Sequence, residues 1–282
     1  MKPAKTWSTA VKTEKKESIP CTICGKTKFK ASISCGSFGY VRCLTCGLVQ
    51  MNPQPLKEEI ISRYDTKDYL SYEISNEQSY LNLQLLALKD SGFDESARTR
   101  VLDIGCATGS LLSHLKSKGW EVTGVEISSP QAEYGRQKYN LDIKSLPLED
   151  NHFPSGHFNA VLASHLIEHL NDPAAMVREV YRTLMPGGKF FVTTPNIQGF
   201  QAKLFGGRWR SAIFDHLYLF SVKTLTRLLE DNGFVTEKIA TWGGLASGIA
   251  PAPIKRVFDK AAKHFNFGDV MIIRSRKHET EV

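Results

Sequence analysis

The sequence has no apolar run of membrane-spanning length, which would require about 20 consecutive apolar residues. Lysines are frequent at the N terminus, but no apolar segment follows them as it would in a secretory signal. We therefore expect a cytoplasmic protein without a transmembrane segment.

Cysteine is scarce, with six in 282 residues, and four of these form two C-x-x-C pairs. Cys21 pairs with Cys24 and Cys43 with Cys46, with 18 residues between the pairs and a glycine after each. This spacing favours a metal site in a reducing compartment over a disulfide framework. Four thiolates satisfy tetrahedral zinc and leave no open position, so we expect structural zinc. Two redox-active dithiols are a weaker alternative, because neither pair opens a helix after a strand.

Charge of one sign is not in large excess. The chain has 36 basic and 29 acidic residues, a formal net charge of +7. Such a balance is compatible with an anionic substrate or with nucleic acid, and it establishes neither.

The order of these features predicts four segments. They are a disordered lysine-rich tail (1–18), a zinc ribbon (19–52), a linker with a helical lid (53–97) and an α/β domain (98–282). Apolar residues at helical spacing predict helices near 56–64 and 76–91, the second of which would form the lid.

From residue 98 onward, short apolar runs alternate with helical patterns. This alternation predicts a mostly parallel sheet with helices on both faces. The expected strands lie near residues 100–104, 121–126, 158–163, 188–193, 234–240 and 269–275. Ligands of such sheets bind beyond the carboxyl ends of the strands, which is where we expect the functional residues.

One stretch, from Val101 to Leu112, organises the domain. It predicts a buried strand, then a turn at Gly105 and Gly109, then a helix whose free N–H groups point at the same space. The next strand ends on Glu126, where an acid can accept hydrogen bonds from a ribose.

The residue before the turn separates two ligand classes. A dinucleotide site requires G-x-G-x-x-G, whereas this chain has Asp103-x-Gly105-x-x-x-Gly109. A carboxylate at Asp103 would repel a diphosphate and would attract a cationic ligand with an amino-acid end and a ribose, such as S-adenosylmethionine.

The stretch resembles motif I of the class I S-adenosylmethionine-dependent methyltransferases, and later motifs extend the resemblance from about residue 101 to 277. It implies the Rossmann-like fold of that class. It also implies that residues at the strand ends and in the following loops bind the cofactor. These are Asp103, Gly105, Cys106, Gly109, Glu126, Ser164 and, around the adenine, Leu148 with Glu149 or Asp150.

The segment from Ala163 to Leu170 resembles the E-H-L/V region of ubiquinone-type O-methyltransferases. In some of these an acid, a glutamate and a histidine hold a divalent metal ion, but the first position is His165 here, which weakens that inference. His165 could instead act as a general base, with Glu168 and His169 more often structural. His216 resembles a histidine found before an F-S/T helix start in sugar-type and small-molecule relatives and is the second base candidate.

We interpret the chain as an enzyme that methylates a small molecule or a glycan or natural-product precursor. The strand expected near 158–163 ends in Ser164-His165 and not in the N/D-P-P-Y that resembles enzymes methylating amino groups of nucleobases, which disfavours that activity. An RNA methyltransferase whose ribbon grips RNA is the main alternative, although the ribbon has few arginines and aromatic residues. A non-catalytic ribbon protein with a vestigial cofactor domain is the third, and the intact Asp103, Gly105, Gly109 and Glu126 count against it. We expect methylation at oxygen.

Overall fold

A seven-stranded sheet with helices on both faces forms the centre of the protein. The computed structural model describes residues 16–64, 66–244 and 251–279, so most of the expected tail lies outside the described residues. The sheet strands are β6 (Arg100–Ile104), β7 (Glu121–Val125), β8 (Ile143–Lys144), β9 (Phe158–Ser164), β10 (Leu184–Pro195), β12 (Phe234–Trp242) and β13 (Val270–Lys277).

The strand order is β12-β13-β10-β9-β6-β7-β8. Neighbouring strands from β10 to β8 run parallel, whereas β13 is antiparallel to both β10 and β12. The predicted Rossmann-like fold is therefore confirmed. All six expected strands are present, and β8 is an additional edge strand of two residues that is too short to carry a recognisable pattern.

Helices connect the strands and cover both faces of the sheet. They are α1 (Lys57–Tyr64), α2 (Lys67–Ser91), α3 (Ser110–Ser117), α4 (Ser129–Tyr139), α5 (Pro173–Thr183), α6 (Phe200–Phe205), α7 (Val222–Glu230) and α8 (Ala252–His264). None of the helices in the described ranges combines the length and the apolar character needed to cross a membrane.

The long helix α2 begins nine residues earlier than the apolar pattern indicated. Thr66 caps its first turn by accepting a hydrogen bond from the backbone N–H of Tyr69, and Gly92 ends it in a left-handed conformation. The first half of α2 is rich in polar residues, so its sequence carries no continuous apolar stripe and periodicity alone does not reveal it.

The N-terminal segment that carries the four cysteines contributes three strands to a second sheet. It contains β2 (Phe29–Ser34), β3 (Gly39–Cys43), β4 (Val49–Met51) and β11 (Tyr218–Leu219), in the order β11-β4-β3-β2. Two further short strands, β1 (Lys16–Glu17) and β5 (Gln54–Pro55), pair with each other in a separate antiparallel sheet. Because β11 comes from the insertion after β10, this sheet joins the N-terminal cysteine-containing segment to that insertion.

Buried side chains also link the ribbon to the large sheet. Tyr40 and Leu48 of the ribbon belong to the same apolar cluster as Phe190 and Phe220. The Tyr40 hydroxyl lies 2.7 Å from the carbonyl oxygen of Ile213 and 3.0 Å from that of His216. The ribbon is therefore packed as part of the domain's core, and it contacts the insertion that carries His216.

Candidate functional site

The loop after β6 adopts a left-handed backbone conformation at two glycines. Gly105 and Gly109 have φ angles of +71° and +79°, which L side chains rarely adopt. A Cβ on Gly105 would also lie 3.2 Å from Leu166 Cδ1. Gly109 directly precedes α3, so the free N–H groups of this helix face the end of the sheet, as the sequence predicts.

Glu126 ties this loop to the end of β7. Its carboxylate accepts hydrogen bonds from the backbone N–H groups of Ala107 and Ser128, each at 2.9 Å. The side chain is buried, and burial raises its pKa despite these two donors. Each oxygen keeps a lone pair that can accept a further donor, such as a hydroxyl of a ribose.

Asp103 lies at the end of β6 and is 1% exposed. Its Oδ1 is buried and has no hydrogen-bond partner among the described residues. Burial, together with repulsion from Glu126, raises the pKa of Asp103 to about 8. A buried acid with an unsatisfied oxygen destabilises the fold, and a cationic ligand would relieve this penalty.

Helix α2 contributes two acids that the sequence analysis did not single out. Glu77 accepts a hydrogen bond from the Thr108 hydroxyl at 2.7 Å and pairs with Lys138 at 2.8 Å, so it fastens α2 across the glycine loop. Glu73 lies one turn earlier; burial and the charge of Glu126 raise its pKa to about 7, despite a hydrogen bond with Tyr69. In the sequence, the only feature that could have identified these two acids is their spacing of four residues, which places them on one face of a helix.

The second group of polar side chains lies where β9 ends. His165 adopts a left-handed conformation with φ +52°, and its side chain is 48% exposed. Its Nδ1 lies 3.2 Å from Oε1 of Glu168, which is fully buried, and the Thr194 hydroxyl donates to Oε2 at 2.9 Å. The geometry therefore orients the imidazole through a buried acid.

Histidine side chains around Glu168 keep this acid ionised. Burial by itself would raise the pKa of Glu168, but the hydrogen bond from His165 and the charges of His165, His169 and His216 lower it to about 2. An ionised Glu168 favours the tautomer of a neutral His165 in which Nδ1–H donates a hydrogen bond to Oε1 and Nε2 keeps its lone pair.

His216 lies on the inner side of this group and is 7% exposed. Its Nδ1 is 2.8 Å from the Ser211 carbonyl, and its ring meets that of His169 edge-on at 4.7 Å. Burial and the neighbouring His169 lower the pKa of His216 to about 3. The structure thus brings both predicted histidines to one end of the sheet, one exposed and one enclosed.

One ligand atom from each of Glu168, His169 and His216 lies within 4.8 Å of the other two. A carboxylate with two imidazoles is a known ligand set for divalent metal ions. Both oxygens of Glu168, however, already accept hydrogen bonds from His165 and Thr194. This arrangement favours a packed polar cluster that fixes the loop.

The remaining predicted cofactor residues differ in exposure. Cys106 and Leu148 are buried, Ser164 is half-buried at the end of β9, and Glu149 is exposed on a short 3₁₀ helix. Leu148 packs in the main apolar cluster. All of these residues lie at or beside the carboxyl ends of the parallel strands.

Trp209 anchors the insertion after β10. It is buried, and its indole N–H donates to Asp269 at 2.6 Å, while Arg210 pairs with the same carboxylate at 2.8 Å. Its burial and this hydrogen bond indicate that Trp209 holds the insertion in place.

The four ribbon cysteines lie together. Sγ of Cys21 is 3.3 Å from that of Cys46, and Sγ of Cys24 is 3.5 Å from that of Cys43. All four sulfur atoms lie within 4.8 Å of one another. Backbone N–H groups of residues 23 and 24 are directed at the sulfur of Cys21, and those of 45 and 46 at the sulfur of Cys43.

Comparison with known proteins agrees with this geometry. A family described as a methyltransferase domain matches residues 69–239, more than half of the chain. The chain belongs to this methyltransferase family.

A curated relative of the methyltransferase is the ubiquinone biosynthesis O-methyltransferase of Xanthomonas oryzae pv. oryzae (strain PXO99A). It is 33% identical over 106 residues, which are 36% of this chain and 44% of the relative. The chain therefore matches less than half the length of this relative.

Two solved structures share the fold. An S-adenosylmethionine-dependent methyltransferase from Thermotoga maritima, described as a possible histamine N-methyltransferase, has a TM-score of 0.58 and 23% identity, covering 78% of this chain and 99% of that one. Phosphoethanolamine N-methyltransferase 2 of Haemonchus contortus, in complex with S-adenosyl-L-methionine, has a TM-score of 0.57 and 16% identity, covering 82% and 63%. At these identities the similarity establishes the fold alone.

The raised pKa of Asp103 predicts a pH dependence of the methyltransferase's stability. The folded state holds a proton on Asp103 that the unfolded chain releases near pH 4, so stability falls as the pH rises from about 4 towards 8. We expect Asp103→Asn to flatten this dependence by more than about 1 kcal/mol between pH 5 and 8. Urea unfolding at several pH values measures it, and an unchanged slope would contradict the assignment.

Proposed function

We propose that this methyltransferase transfers a methyl group from S-adenosylmethionine to a hydroxyl group of a small molecule or of a glycan or natural-product precursor. The observation that carries the proposal is the pairing of two sites at one end of the sheet. A glycine loop flanked by the buried Asp103 and Glu126 lies beside a His165–Glu168 pair.

The residues present fit the cofactor in charge and in shape. The unsatisfied Oδ1 of Asp103 suits a cationic ligand, and the remaining lone pairs of Glu126 suit ribose hydroxyls. Gly105, Cys106 and Gly109 would line its amino-acid portion, as the family resemblance implies. Leu148, Glu149 and Ser164 keep the roles predicted from the sequence, with the adenine beside the first two.

S-adenosylmethionine supplies a methyl group on a sulfonium, so the protein mainly has to align the acceptor and remove its proton. We assign proton removal to His165. The buried Glu168 accepts a hydrogen bond from Nδ1–H, so Nε2 would be free to take the proton of an acceptor hydroxyl when the cofactor supplies its methyl group.

His216 is less suited to this step than the sequence suggested. Its burial and its Nδ1 contact with Ser211 support a role in holding the loop that carries His169. We therefore propose that His216 positions the site and that His165 is the catalytic base.

Oxygen as the acceptor atom is supported by the O-methyltransferase relatives and by the presence of a base. The RNA alternative gains no support from the ribbon, because its strand β4 pairs with β11 and its Tyr40 is buried against the insertion. A small-molecule acceptor and a cytoplasmic location remain our predictions.

We further propose that the four cysteines hold one structural zinc ion. The donor set, the short sulfur–sulfur distances and the N–H groups directed at Cys21 and Cys43 all fit a thiolate site of this kind. Leu217 links the proposed zinc site to the loop that carries Glu168. Its N–H donates to the Glu168 carbonyl at 2.7 Å, and its carbonyl accepts from Met51 of the ribbon at 2.8 Å.

The zinc proposal predicts about one zinc per chain by elemental analysis, falling to near zero in Cys43→Ser. Loss of zinc should speed hydrogen exchange of the Leu217 amide, because the ribbon strand that fixes Leu217 loosens. Cys35→Ser is the matched control, since Cys35 is outside the cluster, and it should keep its zinc. Wild-type protein without zinc would exclude the proposal.

The methyl-transfer proposal is tested with methyl-tritiated S-adenosylmethionine added to cell extract with the purified protein. We expect label in the small polar or lipid-linked glycan fraction. Label in RNA that nuclease releases would instead favour the RNA alternative.

His165→Asn should lower the labelling rate by about 10²–10⁴-fold, while binding of S-adenosylmethionine stays unchanged. Asparagine tolerates the left-handed backbone at this position. The matched control is His152→Asn, an exposed histidine that also has a positive φ, of +50°. Wild-type rates in His165→Asn would refute the assignment of the base.

A further inference from the structure

Helix α8 exposes an apolar stripe that its packing on the protein leaves uncovered. Ile254 and Val257 in the helix are 52% and 68% exposed, and Phe265, directly after its last residue, is 68% exposed. Their spacing of three and then eight residues places them on one side of the helix. Three exposed apolar side chains on one side of a helix form a candidate interaction surface.

The side of α8 that adjoins this stripe is firmly attached. Ala262 is fully buried, and its carbonyl accepts a hydrogen bond from the Thr241 hydroxyl at 2.9 Å. Phe258 contacts Phe200 of α6 with ring centroids 5.3 Å apart. The exposed stripe is therefore held in place by a rigid support.

Basic side chains occupy the rest of the exposed surface. Arg256, Lys260, Lys263 and His264 are all exposed, and Lys263 is paired with Asp90 of α2 at 2.7 Å. An apolar stripe beside a basic row is the pattern of a helix that lies in the plane of an anionic lipid surface.

We propose that α8 docks the protein on an anionic membrane surface. Charge complementarity favours this occupant over a second copy of the chain, because a symmetric copy would bring the basic row of one helix beside that of the other. Lipid headgroups of negative charge attract this row, and the apolar stripe enters the acyl boundary.

Helix α8 lies near the end of the sheet that carries the candidate active site. The helix connects Trp242, the end of β12, to Val270, which pairs with Pro195 at the carboxyl end of β10. The docking surface therefore lies at the carboxyl end of the parallel strands, where His165 also lies. On the proposed function, an acceptor carried by the lipid surface would be presented at that edge.

Co-sedimentation with vesicles tests the docking surface directly. We expect the full-length protein to sediment with phosphatidylglycerol–phosphatidylcholine vesicles and to remain in solution with phosphatidylcholine alone. Binding should be lost at 1 M salt, where the Debye length is about 3 Å. An absence of sedimentation with the anionic vesicles would overturn the proposal.

Two variants separate the contributions of the surface. Val257→Ser with Phe265→Ser should lower the partition coefficient by at least about tenfold, because two exposed apolar side chains lose their burial in lipid. Arg256→Glu with Lys260→Glu should lower it by a similar factor on anionic vesicles. Both pairs point outward, so the midpoint of thermal unfolding should stay at the wild-type value.

The matched control is Leu83→Ser with Leu86→Ser on α2, where the leucines are 53% and 51% exposed. This pair should bind vesicles like the wild type. Equal loss in the control, or wild-type binding by the α8 variants, would refute the assignment to α8. Light scattering that shows α8 variants converting a dimer to a monomer would favour a second copy and overturn the lipid proposal.

Calorimetric titration of the same samples with S-adenosylmethionine keeps the two proposals distinguishable. Protein that binds vesicles through α8 but does not bind the cofactor would refute the proposed function and leave the docking surface standing.

Discussion

Two buried carboxyl groups at the ends of neighbouring parallel strands constrain the rest of the site. Glu126 holds the loop after β6 through the N–H of Ala107 and orders the start of α4 through that of Ser128. Asp103 lies beside it with an unsatisfied oxygen, and each acid raises the free energy of ionising its neighbour. Apolar residues would make a more stable core at these positions, so the arrangement supports the proposal that a ligand contacts both acids.

One backbone residue, Leu217, links the ribbon directly to the loop after β9. Leu217 receives a hydrogen bond from Met51 of the ribbon and donates one to the carbonyl of Glu168. The side chain of Glu168 in turn orients His165. The cysteine-containing segment therefore helps to hold the loop that carries His165, the proposed base.

The sequence predicted the repeating strands and the strand-end residues well, because buried parallel strands are continuous apolar runs and polar residues after them stand out. It predicted Asp103, Glu126 and His165 at one end of the sheet for the same reason. It could not show that β11 extends the ribbon sheet, since two residues carry no pattern. Nor could it show that Trp209 is buried, because its hydrogen bond joins it to Asp269, 60 positions away in sequence.

The polar half of α2 illustrates a different limit. Glu77 contacts Thr108 of the loop after β6, and the charge of Glu126 acts on Glu73 one turn earlier, yet neither glutamate belongs to an apolar stripe or to a recognised motif. Their role depends on the path of α2 across the sheet edge, which tertiary packing decides and local propensity does not.

The central claim is that Asp103 and Glu126 bind S-adenosylmethionine, and isothermal titration calorimetry of the purified protein tests it most directly. We predict saturable binding to the wild type and at least about tenfold weaker binding to Glu126→Gln, because hydrogen bonds to a charged group are lost. Glu121→Gln, at the exposed start of the same strand, should bind like the wild type. Unchanged affinity in Glu126→Gln, or no binding by the wild type, would contradict the account.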